Sequence, residues 1–520
     1  MSMHSFIATN NKGAQGAVLS LALLVAGCSG DDGDSAGETG ATAGTATVGT
    51  STSDTTSEGS DSATTSASGA SDSATQGTTA TTASSESESS DSATTGDSDS
   101  SSDSATTGQV SVTDTDTGAD TDTDTDTDTD TDTDTDTDTD TGEAPCEPGG
   151  GGQQFSFMWI ANTDQGSVSK IDTDSMVEMA RYYTDPVQSG AASPSRTSVS
   201  LDGRFMVVSN RDRGSITKIA ANEVDCVDKN GDGIIQTSKD KAQLLPYAQE
   251  ECILWTTSLT INNHQWGPRA TTFGIPEWNV DTCKYENEKI WVGYMVGATQ
   301  ARMAKLNSAT GEIEATVDIP NFLLYASYSP YGAAVDPQGN IWTSSVTHRA
   351  VYRVDAKTLE VQRWDSPDAD AHYGITVDAE GRVWFANYGG HGGHGGVSFF
   401  DPVTELWKVI PGTTGNLWRS VAVDDKNRVW VSNNGGTFGC GLLEIDGNSE
   451  TITNFHNFSQ CGTPVGVGLD GKGKVWMIDY NGWTWQMDPI TYEKKILPVA
   501  NVHYTYSDFT GSGLSGVIPQ

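Results

Sequence analysis

A fifteen-residue phrase, written four times in the second half of the chain, limits what the chain can fold into. The copies read YGAAVDPQGNIWTSS from Tyr331, YGITVDAEGRVWFAN from Tyr373, RSVAVDDKNRVWVSN from Arg419 and VGVGLDGKGKVWMID from Val465. In each an Asp precedes a Trp by six residues: Asp336/Trp342, Asp378/Trp384, Asp424/Trp430 and Asp470/Trp476. The tryptophans recur at intervals of 42, 46 and 46. A repeat of about 40–50 residues is the length of one four-stranded propeller blade.

Each copy has the grammar of a blade. A run of small and β-branched residues (GAAV, GITV, SVAV, GVGL) suits an inner strand close to an axis. A tetrapeptide rich in Asp, Gly and Asn turns the chain, the Trp-bearing strand follows, and two more strands complete the unit. No long segment has helical spacing, so the fold class is all-β. Diverged copies place Trp159, Val207 and Trp291 in the role of the repeat tryptophan, which gives seven positions: 159, 207, 291, 342, 384, 430 and 476. The first copy lacks an inner strand of its own, and the chain ends in a strand-like piece from His503, HYTYSDFTGSG. The expectation is a seven-bladed β-propeller over 146–520 whose C-terminal strand closes blade one and removes two open sheet edges.

Residues 1–27 carry Lys12, the apolar run AVLSLALLVAG and then Cys28. The run is too short to span a membrane and fits a secretory signal. Small residues before the Cys resemble a bacterial lipobox, which implies lipidation of Cys28 and a membrane partner through that lipid. The expected location is the bacterial cell envelope, at the outer membrane or cell surface. From 28 to 145 the chain is almost entirely Ser, Thr, Asp, Gly, Ala and Glu, with an Asp-Thr alternation from Asp120 to Thr141. It carries 28 acidic residues and no Lys or Arg, so it cannot bury a core and reads as a disordered, self-repelling stalk.

Removing that stalk from the charge count leaves 42 acidic against 28 basic residues in 146–520, a net −14 where the whole chain has −41. An acidic domain on a polyanionic stalk argues against nucleic acid as a partner; a monomer is expected. Six cysteines besides Cys28 suggest disulfides in an exported chain. Cys226–Cys252 would close the base of an insertion at about 222–262, and Cys440–Cys461 would tie blade six to blade seven. Cys146–Cys283 remains by elimination.

The insertion contains DKNGDGIIQTSKD from Asp228. Asp228, Asn230 and Asp232 take positions one, three and five of a calcium-loop pattern, Gly233 six, and Ile234 seven, where a backbone carbonyl ligates. Lys239 holds position twelve, where an acid belongs, and Asp240 comes one residue late. Ca2+ in this loop is one expectation, a turn-rich loop pinned by the disulfide the other. The pair His391 and His394 in HGGHGG has glycine on every side and nothing to preorganise a metal site.

The repeat itself supplies a more coherent constellation. In a propeller the start of each inner strand and the exit of each second strand lie on one face of the central tunnel. The starts bring Arg196, Arg269, Tyr331, Tyr373 and Arg419, with His372 and Tyr504 nearby; the exits bring Asn162, Asn210, Asn387, Asn433 and Asp479. Guanidinium, phenol and amide groups suit recognition of a small polar molecule, although Asn also caps turns. No Gly-x-Ser-x-Gly or His-Glu-x-x-His is present.

The repeated units, GITVDAEGRVWFAN above all, resemble those of the virginiamycin B lyase (streptogramin lyase) family over roughly 190–500. The resemblance implies the propeller fold. It also implies linearisation of a cyclic depsipeptide by elimination across an ester C–O bond, with Mg2+, acidic ligands and a histidine base. Family repeats often read Trp-Phe-Thr-Glu, with Glu three residues after the aromatic. Here those positions hold Asn162, Asn210, Asn387 and Asn433, and Asp479 alone is acidic. The reading is therefore a tethered propeller that binds a small molecule or a surface protein at its tunnel face. The alternative is a Mg2+-dependent lyase with His372 as the base.

Overall fold

The computed structural model describes residues 156–518 apart from 323–327, 347–348, 368–370, 392, 501 and 507. The signal segment, Cys28, the stalk and Cys146 lie outside the described residues, as does the side chain of His391. The chain divides into two units, 1–127 and 128–520, and every described residue belongs to the second.

The six-residue Asp–Trp spacing has a direct physical cause. One carboxylate oxygen of Asp378 accepts the backbone N–H of Arg382 at 2.8 Å and so closes the turn, while the other accepts the Trp384 indole N–H at 2.7 Å. The same pair of bonds recurs from Asp336 to Asn340 and Trp342, from Asp424 to Arg428 and Trp430, and from Asp470 to Lys474 and Trp476. Six residues is the distance along which one buried carboxylate can hold both a tight turn and the indole of the returning strand. Blade one keeps the tryptophan without the acid, and there the buried Trp159 indole N–H has no hydrogen-bond partner.

Seven antiparallel blade sheets follow one another along the described chain, and a two-stranded hairpin, Glu277–Asn279 with Lys284–Glu286, lies within the third repeat. Blade one is built from Phe157–Asn162, Ser167–Asp172 and Val177–Tyr183. Blade two has Pro194–Val199, Phe205–Asn210, Ser215–Ala220 and Ile253–Ser258; blade three has Thr271–Phe273, Lys289–Gly297, Gln300–Asn307 and Ile313–Ile319. Blades four to seven begin at Ala333–Val335, His372–Val377, Trp418–Val423 and Pro464–Leu469 and end at Val361–Asp365, Leu406–Val409, Thr451–Asn457 and Lys494–Pro498. The repeat tryptophans sit fully buried in the second strands, packed among apolar side chains between blades.

The C-terminal segment closes the ring. His503 bridges Asn162, the Tyr504 N–H donates to the Ala161 carbonyl at 3.3 Å, and the Trp159 N–H donates to the Phe509 carbonyl at 3.1 Å. The segment thus supplies the inner strand that blade one lacks. Glycines in the seventh repeat make room for it: a Cβ at Gly468 would lie 2.8 Å from the Phe509 ring, and one at Gly466 2.5 Å from the Thr505 carbonyl oxygen. Past Phe509 the chain makes one helical turn, Ser512–Ser515. Asp508 accepts the Leu514 N–H, and Leu514 and Val517 are buried against the inner strands. This turn and the strand ends at Val335, Val377 and Val423 line a cavity at one end of the axis.

Cys226–Cys252 and Cys440–Cys461 are both bonded. Cys283 is also disulfide-bonded, and its expected partner Cys146 is not among the described residues. The stretch read as an insertion is shorter than its sequence suggested. Ile253–Ser258 pairs with Ser215–Ala220 as the outer strand of blade two, because its β-branched residues extend the sheet once the disulfide has returned the chain.

Candidate functional site

Seven side chains from six elements meet on the propeller axis: Arg196, Arg269, Tyr331, Tyr373, Arg419, Tyr504 and Tyr506. Blade one lies across the ring from blades four and five, so contacts between them locate the cluster. Tyr504, on the strand that completes blade one, hydrogen-bonds the hydroxyl of Tyr331 from blade four at 2.7 Å and that of Tyr373 from blade five. Tyr506 bonds Tyr373 at 3.1 Å. Arg196, in blade two, donates through Nε to the Tyr331 carbonyl at 3.1 Å and stacks on the rings of Tyr506 and Tyr331, 4.0 and 4.5 Å from their centroids. Arg269 lies over Tyr328, and Arg419 lies over Tyr388 and Tyr373. All seven side chains are buried. Burial pushes the Tyr373 and Tyr506 hydroxyls well above the ordinary phenol range, so both stay protonated.

Arg211, Tyr506, Tyr328 and Tyr388 belong to the same cluster and were not among the residues expected from the repeat. Arg211 lies 4.4 Å over the Tyr504 ring. A sequence signal for Tyr506 existed, because residues two apart on a strand share a face and Tyr504 was already placed there.

The same alternation separates His372 from Tyr373. Tyr373 faces the axis, whereas His372 turns into the blade, where its ring stacks on Trp407 at 5.4 Å and contacts Phe385 at 4.4 Å. Its Nδ1 faces the Asn387 amide oxygen at 2.8 Å, and burial lowers its pKa to about 4. This imidazole is neutral at pH 7 and enclosed by aromatic rings.

The exit residues are engaged by neighbouring strands and turns. Asn162 donates to Ser167 and Ser169, Asn210 to the Thr184 carbonyl, and Asn387 to Ser398. Asn433 accepts the Leu417 N–H and donates to the carbonyls of Gly435 and Gly439. Asp479 accepts the N–H groups of Gly462, Thr463 and Asn481. Each ties neighbouring turns together, which is the structural use of these side chains.

In the insertion, Asp228 accepts the N–H groups of Gly231 and Gly233, Asn230 that of Asp232, and Asp232 that of Ile234. Asp240 instead closes a separate turn, accepting from Ala242 and Gln243. The buried Glu251 holds the loop from below through the N–H groups of Lys229, Asn230 and Gln236.

Magnesium, which the resemblance implies, needs convergent oxygen ligands. Among the described residues, three or more His, Cys, Asp or Glu ligand atoms lie within 4.8 Å of one another only at Cys440, Cys461 and Asp479, and those two sulfurs form a disulfide. The axial cluster presents guanidinium and phenol groups, which do not fit a divalent cation.

No protein-family profile and no curated protein sequence matches the chain. Among solved structures, the propeller is similar to a streptogramin B lyase, with 17% identity and a TM-score of 0.44 over 63% of this chain and 91% of that one. It is also similar to virginiamycin B lyase from Staphylococcus aureus, with 14% identity and a TM-score of 0.41 over 59% of this chain and 85% of that one. A functionally unknown protein from Desulfotomaculum acetoxidans shares 13% identity, with a TM-score of 0.43 over 69% of this chain and 97% of that one. The likeness is one of fold alone, that of a β-propeller.

Proposed function

We propose that this protein is an envelope-tethered binding module whose propeller recognises a small polar molecule at the Arg–Tyr end of its axis. The observation that carries this reading is the convergence there of Arg196, Arg269, Tyr331, Tyr373, Arg419, Tyr504 and Tyr506 from five blades and the closing strand. Stacked arginines and tyrosines give shape and donors without a nucleophile or a paired acid and base. A lipid on Cys28 and the acidic stalk, both expected from the sequence, would tether the module to the membrane.

The test is a thermal-shift panel of small acids, amides and sugars against the full chain, repeated on Tyr373→Phe and Arg419→Lys. Binding that weakens in both variants, with the ligand recovered intact, supports the module. Binding that neither substitution alters overturns the location. The alternative, a lyase like those the fold resembles, requires consumption of a bound ester.

A further inference from the structure

We propose that Arg196 anchors an anion site on the propeller axis, taking the carboxylate or phosphate oxygens of a small ligand through its two Nη groups. The proposal rests on the reading of this face as a binding face and names the class of ligand it takes.

The Arg196 side chain is fully buried, and neither Nη1 nor Nη2 has a hydrogen-bond partner. The contacts it does make leave its charge unspent. Tyr331 and Tyr506 address the faces of the guanidinium, and the Tyr331 carbonyl takes Nε. Hydrogen bonds to a guanidinium lie in its plane, so the forked edge that matches an oxyanion is left without an acceptor. Arg211 and Arg269, by contrast, direct donors to the backbone, to Ser193 and to the Gly267 carbonyl.

A buried guanidinium without a counter-charge is strongly disfavoured, and stacking on two rings offsets only part of that penalty. Arg196 forms no ion pair with a described residue. The tyrosines do not neutralise it either, since burial keeps Tyr373 and Tyr506 protonated. With Arg211, Arg269 and Arg419, four guanidiniums at most 4% exposed crowd one end of a domain whose net charge is negative. An oxyanion on the Arg196 fork balances that charge and supplies acceptors for the two open Nη groups.

The experiment measures melting of the full chain at fixed ionic strength while acetate, benzoate or inorganic phosphate is raised, with benzamide as the uncharged match to benzoate. The expected result is a saturable rise with at least one anion and none with benzamide, lost in Arg196→Met. Acetate or benzoate alone identifies a carboxylate ligand; phosphate alone identifies a phosphate. If Arg196→Met does not fold, Arg196→Lys keeps the charge without the planar fork and should need a several-fold higher anion concentration. Equal responses in the wild type and the variant indicate an adventitious ion only and overturn the proposal. No response to any of the three anions overturns it as well. If benzamide matches benzoate and both depend on Tyr373, the anion claim fails while the binding face stands.

Discussion

Replacing Asp378 by alanine removes the acceptor that joins a turn to its repeat tryptophan. Three donors lose their partner: the Arg382 N–H at 2.8 Å, Arg382 Nε at 2.7 Å and the Trp384 indole at 2.7 Å. Bonds to a charged group contribute about 1.5–3 kcal/mol each, but they do not add in full. Arg382 is partly exposed and regains water, whereas Trp384 is fully buried and its N–H is left unsatisfied. The expected loss is about 3–5 kcal/mol. With about 2.1 cal/mol/K of unfolding entropy per residue, a propeller of roughly 365 residues melts about 4–7 °C lower. Calorimetry measures this directly, and Glu380→Ala in the same turn serves as the control. The Glu380 side chain is largely exposed and pairs with Arg382 at 3.6 Å, so its loss should cost less than about 0.5 kcal/mol. A double-mutant cycle with Trp384→Phe should return a coupling of about 1–3 kcal/mol. A coupling near zero, or Asp378→Ala melting with the control, would refute the carboxylate–indole account of the repeat.

Burial lowers His372 to about 4 and His503 to about 3. Below pH 6.5 the unfolded chain therefore binds protons that the folded chain refuses, and stability falls with pH by up to about 1.4 kcal/mol per unit for each imidazole. Denaturant melts between pH 4 and 6.5 should show this slope, and His372→Gln should make it shallower; an unchanged slope contradicts the burial. Opening Cys440–Cys461, whose sequence separation is 21, should cost about 3 kcal/mol through loop entropy, measured on the Cys440→Ser/Cys461→Ser variant. Calcium bound through Asp228, Asn230 and Asp232 should raise the melting temperature, and Asp232→Ala should abolish the rise. A wild type indifferent to millimolar calcium would remove that ion from the insertion loop.

Much of this architecture was legible because one short-range bond writes itself into the sequence. A carboxylate that must reach both its turn and an indole fixes a six-residue spacing, and four copies of it set the blade length. Blade two lacks the spacing altogether, having Val207 in the tryptophan's place, and is recognised by the likeness of FMVVSNRDRGSITKI to FMWIANTDQGSVSKID in blade one. The axial arginines and tyrosines were legible as first positions of inner strands. His372 was not separable from Tyr373 by position, since one residue's step along a strand turns a side chain from the axis into the blade. The final turn was hidden for a different reason. GSGLSG reads as a loose end, and its order comes from Leu514 and Val517 meeting inner strands far away in sequence.

The central claim, that the Arg–Tyr face binds without lyase chemistry, is tested most directly by incubating the full chain with a virginiamycin B-type cyclic depsipeptide and magnesium. Ring opening by elimination breaks the ester C–O bond, moves a proton to the freed carboxylate and leaves an alkene, so mass is unchanged. Liquid chromatography with fragmentation separates the linear isomer from the ring. The account predicts that only the cyclic compound is recovered after prolonged incubation. A linear isomer that accumulates in proportion to protein, and disappears in Tyr373→Phe, would contradict it and place lyase chemistry on this face.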